Sequence, residues 1–418
     1  MCLDVLVKRS YLNGETTVPP SKSYTHRAII SASLSEKSIV ENPLIADDTL
    51  VTVESCRKIG ARIVRDSNSL TIYGADEILS NYFNMGNSGT TLRIFLGLLS
   101  LCPYKSVLNG DKSLRSRPNL QLAKALRKLG AEIKCCSNDC KPPVWVRGVV
   151  KGGKVEIEAL SSQYVSSLLM TLPMALNDSE IVVKSVKSRP YIDITLHVLE
   201  ISGIEVEVEG NKFYTYGEQG YRLRDFRVPS DFTSASYIIA AALISGDVKI
   251  VGMFESKQGD RRIVNICREM GGHIRWDKEK GVIRVKSSEL EGVEIDASDI
   301  PDLVPTIAVL AAVARGRTRI YNAEHLRLKE IDRIEGIYRN LRALGVDVKK
   351  TKDGLEIRGG KGEFRGVVDS FGDHRMALAF SILGLTGEVL VRNAEVVTIS
   401  FPDYFEKLEA LGANILRV

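Results

Sequence analysis

Leu341-Arg342-Ala343-Leu344-Gly345-Val346-Asp347-Val348 and Leu408-Glu409-Ala410-Leu411-Gly412-Ala413-Asn414-Ile415 share one pattern: a helix-like segment, a Gly just past its last turn, and an Ile or Val three residues later. It occurs four more times, as Cys56-Arg57-Lys58-Ile59-Gly60, Leu126-Arg127-Lys128-Leu129-Gly130, Leu199-Glu200-Ile201-Ser202-Gly203 and Cys267-Arg268-Glu269-Met270-Gly271, followed by Ile63, Ile133, Val206 and Ile274. A Gly in that place takes the left-handed conformation that stops a helix, and the β-branched residue begins a strand. The six glycines stand 70, 73, 68, 74 and 67 residues apart. The 418 residues are therefore expected to form six copies of one α/β unit of about 70 residues.

A second series runs in step upstream, where polar or Gly-rich turns precede apolar helices. These turns are Ser21-Lys22-Ser23, Asn87-Ser88-Gly89-Thr90, Ser161-Ser162-Gln163, Ser230-Asp231, Pro301-Asp302 and Gly372-Asp373-His374-Arg375. Each supplies a residue suited to cap a helix N-terminus. One unit with two helices and several strands cannot bury both faces of its elements, so two groups of three units are expected. The joins fall at Val18-Pro19-Pro20 and Val228-Pro229, where proline stiffens the crossing. The expected domains are 20–228 and a discontinuous 1–19 plus 229–418, completed by an N-terminal strand within Met1–Lys8.

Composition narrows the partners. Lys and Arg number 57 against 52 acids, with no run of five like charges, which disfavours nucleic acid but suits small acidic ligands met by a few placed cations. No apolar run approaches the roughly 20 residues needed to span a bilayer, and the N-terminus lacks a cleavage signal, so a cytoplasmic protein is expected. Cys135-Cys136-Ser137-Asn138-Asp139-Cys140 has no nearby His to complete a zinc site and is expected to be a reduced hairpin turn.

The start of the first helix in each unit gathers the chemistry. Unpaired N–H groups and the positive dipole end bind phosphate and carboxylate there. Lys22 with Arg27, Gly89 with Arg93, and Ser161-Ser162-Gln163 make three candidate anion sites in the first half, while acids stand at Asp231 and Asp302 in the second. The charged run Arg327-Leu328-Lys329-Glu330-Ile331-Asp332-Arg333 fits two readings. It is either a solvated helix face, or a helix on which Lys329 and Arg333, four apart, bind an anion while Glu330 donates a proton.

Together these motifs resemble the 5-enolpyruvylshikimate-3-phosphate synthase family, along with Arg117-Pro118, Ser188-Arg189-Pro190-Tyr191-Ile192-Asp193, Asp373-His374-Arg375-Met376 and Ser400-Phe401-Pro402. The resemblance covers essentially the whole chain. It implies a two-domain enolpyruvyl transferase fold, six βαβαββ units with three per domain, and an active-site cleft between domains; because anion binders and proton-transfer groups fall in different halves, the halves are expected to close on shikimate 3-phosphate. It also implies transfer of the enolpyruvyl group of phosphoenolpyruvate to the 5-hydroxyl of shikimate 3-phosphate by a monomer, with no metal or organic cofactor. Lys22, Ser23, Arg27, Ser161, Ser162, Gln163, Ser188, Tyr191, Asp302 and Lys329 would hold shikimate 3-phosphate. Lys22, Gly89, Arg117, Gln163, Arg333 and Arg375 would hold phosphoenolpyruvate. Asp302 is similar to the base that takes the 5-hydroxyl proton and Glu330 to the acid that protonates the methylene, with Lys22 and Lys329 beside them.

The chain departs from the family pattern in two places: Ile399 replaces a Lys that contacts phosphoenolpyruvate, and His325 stands where an Asn contacts the shikimate phosphate. Two rival readings are a UDP-N-acetylglucosamine enolpyruvyl transferase and a non-catalytic anion- or RNA-binding protein of similar repeats. The first commonly carries a reactive Cys before the Arg-Pro pair, which Gly110–Arg117 lacks. The second has no use for Asp302, Glu330 and Lys329 beside anion-binding residues.

Overall fold

Each of the six predicted glycines ends a helix with positive φ: 115° at Gly60, 112° at Gly130, 73° at Gly203, 88° at Gly271, 75° at Gly345 and 105° at Gly412. The structure is a computed structural model describing residues 3–418, so Met1 and Cys2 lie outside the described residues and the first strand is Val5–Lys8. The helices are α1 (Lys22–Ser33), α2 (Asp47–Lys58), α3 (Gly89–Leu98), α4 (Leu120–Lys128), α5 (Ser162–Thr171) and α6 (Arg189–Ile201). They continue as α7 (Phe232–Ser245), α8 (Ile263–Glu269), α9 (Val304–Val313), α10 (Arg333–Ala343), α11 (His374–Ser381) and α12 (Tyr404–Ala410).

Odd and even helices differ as their sequences require. The odd ones are buried nearly all round and sit in the core; in α9 every residue from Val304 to Ala312 is buried. The even ones are amphipathic, as in α4, which buries Leu122, Ala123 and Leu126 and exposes Lys124 and Lys128. Gly97 shows how tightly the inner helices pack. A Cβ added there would lie 2.3 Å from Thr171 Oγ1 and 2.6 Å from Ser167 Oγ of α5, so no larger residue fits at that crossing.

Among the described residues six four-stranded sheets carry these helices, all built alike. In one, Gly153–Ile157 runs parallel to Ser179–Val183 (Val155 opposite Ile181), which pairs antiparallel with Lys212–Thr215, whose other edge takes Val206–Glu209. Period-two burial along these strands puts one face on the helices and the other in solvent.

The chain divides into two compact units, one of residues up to Pro19 with Pro229–Val418, the other Pro20–Val228. Each has its own apolar core. In the discontinuous unit Leu12–Thr17 lies parallel to Gly246–Val251, and Val5–Lys8 is inserted between Glu388–Arg392 and Asn414–Arg417. Among the described residues no helix is long and apolar enough to cross a membrane, and no group of three or more His, Cys, Asp or Glu is arranged to hold a metal.

One expectation is corrected here. The turn between strands Ala131–Cys135 and Val144–Gly148 is a hairpin turn, but it is not reduced: Cys135 and Cys140 form a disulfide. Their Cα atoms are 4.9 Å apart, inside the range a disulfide spans without moving the backbone.

Candidate functional site

Three inner-helix N-termini of unit 20–228 carry the predicted anion-binding residues. Lys22 opens α1, its Nζ 2.9 Å from Asp48 of α2. One turn on, the buried Arg27 donates through Nε to Thr195 Oγ1 (2.7 Å) and through Nη2 to Ser166 Oγ (3.1 Å) and the Tyr191 carbonyl (3.2 Å). Its Nη1 returns to the Ser23 carbonyl at 2.9 Å. Burial pushes the Arg27 value down to about 10, still cationic at neutral pH. Arg27 thereby ties the starts of α1 and α6 together.

At α3 the Ser88 side chain caps the helix and also meets Thr91 Oγ1 at 2.6 Å. A buried file of hydroxyls continues from Thr91 to Thr52 (2.7 Å) and on to His26 Nδ1 (2.7 Å). Burial holds His26 down at about 3, so this imidazole is neutral and the file locks α1, α2 and α3 without charge. Gly89 opens α3 within a cradle. A Cβ there would lie 3.1 Å from Arg117 Nη1 and 3.5 Å from both Arg93 Nη1 and Gln163 Oε1. Arg93 donates to Gln163 Oε1, and Gln163 Nε2 donates to Thr90 Oγ1 at 2.9 Å. Arg117 donates to Asn87 Oδ1 and, at 3.0 Å, to Ser113 Oγ. Ser161 caps α5 through the Gln163 N–H, Ser162 is buried beside it, and Ser188 precedes α6 with φ of 57°.

The second constellation lies in the discontinuous unit and centres on Arg333, 1% exposed. Its Nε donates to Asp373 Oδ2 (2.7 Å), Nη1 to Asp302 Oδ1 (2.8 Å) and Nη2 to Glu330 Oε2 (2.7 Å). Burial alone would lower the Arg333 value, but Asp373, Glu330 and Asp302 together drive it up, so it stays charged. The other oxygen of Asp302 accepts from Arg375 Nη2 at 2.7 Å, and Lys329 Nζ stands 3.6 Å from Oδ1. Burial lowers the Lys329 value while the nearby Asp302 opposes that shift. Arg375 Nη1 also donates to Tyr237 Oη at 3.3 Å; burial pushes that phenol up to about 12, which keeps it neutral.

Two local readings are corrected. The run from Arg327 to Arg333 is not one helix: a 3₁₀ turn covers Glu324–Leu328, Lys329 is extended, and α10 starts at Arg333. Asp332 sets that start by accepting from the Glu335 N–H at 3.1 Å, so Lys329 and Arg333 meet Asp302 from a loop and a helix end rather than from one helix face. Asp302 is not the N-cap residue of α9. Leu303 is the N-cap residue of α9, which leaves both Asp302 oxygens for cations.

The structure thus joins Arg27 to Tyr191, Gly89 to Arg117 and Gln163, and Asp302 to Lys329, Arg333 and Arg375. His325 lies half-buried on the 3₁₀ turn, and Ile399 ends another turn, Ala394–Ile399.

Asp260 was not legible in the sequence. It is buried, accepts from Thr233 Oγ1, and is pushed up to about 7 first by burial and then by repulsion from Asp302. In the sequence it sits between Gln258-Gly259 and Arg261-Arg262, a stretch that resembles any solvated turn. Asn119, which accepts from Arg93 Nε at 3.1 Å, gave no signal either.

Comparison with known proteins agrees over the full length. The sequence profile of EPSP synthase (3-phosphoshikimate 1-carboxyvinyltransferase) matches residues 6–408. A 3-phosphoshikimate 1-carboxyvinyltransferase of Archaeoglobus fulgidus is 63% identical over 417 residues, covering 100% of both chains. One of Methanocaldococcus jannaschii is 43% identical over 427 residues, covering 99% of each. Among solved structures, EPSP synthase from Acinetobacter baumannii superposes with a TM-score of 0.84 at 29% identity over 100% of both chains. The enolpyruvyl transferase NikO from Streptomyces tendae, 17% identical, shares the fold with a TM-score of 0.82 over 100% of this chain and 99% of its own.

Proposed function

The chain belongs to the EPSP synthase family and catalyses transfer of the enolpyruvyl group of phosphoenolpyruvate to shikimate 3-phosphate, and we propose that its two constellations divide this reaction between anion binding and proton transfer. In unit 20–228, Lys22, Ser23, Arg27, Ser161, Ser162, Gln163, Ser188 and Tyr191 bind shikimate 3-phosphate at helix N-termini, where N–H groups and hydroxyls suit a phosphate. The Gly89 cradle, with Arg117 and Gln163, takes phosphoenolpyruvate together with Lys22, Arg333 and Arg375. Arg forks match its carboxylate and phosphate.

The discontinuous unit, 1–19 with 229–418, supplies proton transfer. Asp302 faces three cations and takes the proton of the 5-hydroxyl as that oxygen attacks C2 of phosphoenolpyruvate. Glu330 protonates the methylene carbon C3, which makes C2 electrophilic. The adduct is a tetrahedral intermediate, and returning a C3 proton expels phosphate and restores the enol ether. Lys22 and Lys329 balance the charge that moves. The observation that carries this reading is the bridging of Asp302 and Glu330 by one guanidinium, at 2.8 and 2.7 Å, which sets two carboxyl groups side by side in unlike surroundings.

Phosphate release from phosphoenolpyruvate is the direct test, with shikimate 3-phosphate and UDP-N-acetylglucosamine offered separately as acceptors. Release is expected with the first alone. Release with the second alone would reassign the acceptor, and release with neither would remove the enzymatic reading.

A further inference from the structure

The loop closed by Cys135 and Cys140 is a longer version of the hairpin turn that joins Val206–Glu209 to Lys212–Thr215 in the next unit, and it connects to the Gly89 cradle. Cys140 is fully buried with φ of 54°, a left-handed conformation that a residue other than Gly holds only when its surroundings impose it. Its N–H donates to the Ser137 carbonyl at 3.0 Å, and Ser137 Oγ accepts from the Lys141 N–H at 2.9 Å. The last two carbonyls of this loop are both spent on one residue. Asp139 O accepts from the Asn119 N–H (3.0 Å) and Cys140 O from Asn119 Nδ2 (3.2 Å).

Asn119 is 1% exposed, and its side chain makes two further bonds, both toward the cradle. Its Oδ1 accepts from Arg93 Nε at 3.1 Å, and its Nδ2 donates to the Arg117 carbonyl at 3.2 Å. Arg93 also donates to Gln163, and Arg117 to Asn87 and Ser113.

We infer that the disulfide-closed loop Cys135–Cys140 positions Arg93 and Arg117 through Asn119, so that opening the disulfide weakens phosphoenolpyruvate binding more than shikimate 3-phosphate binding, which shares only Gln163 with this path. The inference rests on the assignment of the Gly89 cradle to phosphoenolpyruvate. A dithiol opens the loop by breaking the S–S bond: two electrons and two protons pass to the two cysteines, and the dithiol becomes a cyclic disulfide. Cys140 can then leave the left-handed region, its carbonyl turns from Asn119 Nδ2, and the amide that fixes both arginines is no longer held. Asn119 touches no substrate and acts as a positioning residue. Ser161, Ser162, Ser188 and Tyr191 lie off this path.

The test measures kcat and KM for both substrates in oxidised protein, dithiothreitol-reduced protein with thiols counted, Cys135→Ser and Asn119→Ala. The expected result is a rise in KM for phosphoenolpyruvate of roughly fivefold to tenfold, the size of one lost neutral hydrogen bond. KM for shikimate 3-phosphate should stay within about twofold and reoxidation should restore the wild-type value. An unchanged phosphoenolpyruvate KM after confirmed reduction, or a parallel rise in both KM values, overturns the inference. If oxidised wild type releases no phosphate at all, the reaction assignment fails instead. A crystal structure of Cys135→Ser then decides the positioning role: loss of the Arg93–Asn119 bond supports it, and retention at 3.1 Å overturns it.

Discussion

Replacing Arg333 by Met should destabilise the discontinuous unit more than any single change at its surface. The side chain is 1% exposed and donates at 2.7, 2.8 and 2.7 Å to three carboxylates that do not otherwise share a cation of this geometry. Met fills much of the volume but leaves Asp302, Glu330 and Asp373 facing one another. Removing one partner from a buried ion cluster costs about 3–5 kcal/mol, because the remaining charges stay desolvated. In a unit of 150–250 residues each kcal/mol moves the melting temperature by about 2–4 °C, so a drop of about 6–20 °C is expected. Arg333→Lys keeps the charge but not the fork and should fall between wild type and Met. Scanning calorimetry at neutral pH reads the shift. A Met variant melting within about 2 °C of wild type would refute the view that this guanidinium holds the carboxylate cluster together.

Other consequences are open to measurement. Asp302→Ala and Glu330→Ala should each lower turnover at least about 100-fold when assayed below the melting transition of each variant, and near-normal rates would show that other groups move the protons. Gly89→Ala should raise KM for phosphoenolpyruvate roughly tenfold, because the added Cβ meets Arg117 Nη1 at 3.1 Å. The fold should tolerate that change, since the atoms met belong to flexible side-chain ends, and an unaltered KM would dissociate the cradle from that substrate. Asp260 has its value raised to about 7, so the folded protein binds more protons than the unfolded chain between about pH 4 and 7, and its stability falls as pH rises through that window. Asp260→Asn should remove that slope, gaining on the order of a few kcal/mol at pH 8 relative to pH 4, and parallel pH–stability curves for the two proteins would rule it out.

The repeat architecture was legible because its signals are local. A helix must stop where Gly60 or Gly345 adopts positive φ, and a cap such as Ser88 or Asp373 must stand at the next helix start, so six spaced glycines carry most of the fold. The residues we propose to bind anions were legible for the same reason, since helix starts recur at fixed places in the unit. What stayed hidden depends on contacts distant in sequence. Asp260 acquires its shift only by lying near Asp302, and Asn119 matters only because Arg93 and the 135–140 loop converge on it. The segment before Arg333 reads as helix by charge spacing, but Asp332 caps the helix that follows it and so fixes the break. Neither the spacing nor the residue types of Cys135 and Cys140 distinguish a thiol pair from a crosslink; their separation in space does.

The insertion of Val5–Lys8 between Glu388–Arg392 and Asn414–Arg417 has a consequence for biogenesis. Val5–Lys8 cannot find either neighbour until synthesis has passed residue 388. Unit 20–228, by contrast, is complete in one continuous stretch and can fold while synthesis continues. The discontinuous unit is therefore the last to form, and a nascent chain stopped between residues 228 and 388 holds a complete unit 20–228 while Val5–Lys8 still lacks both of its strand neighbours.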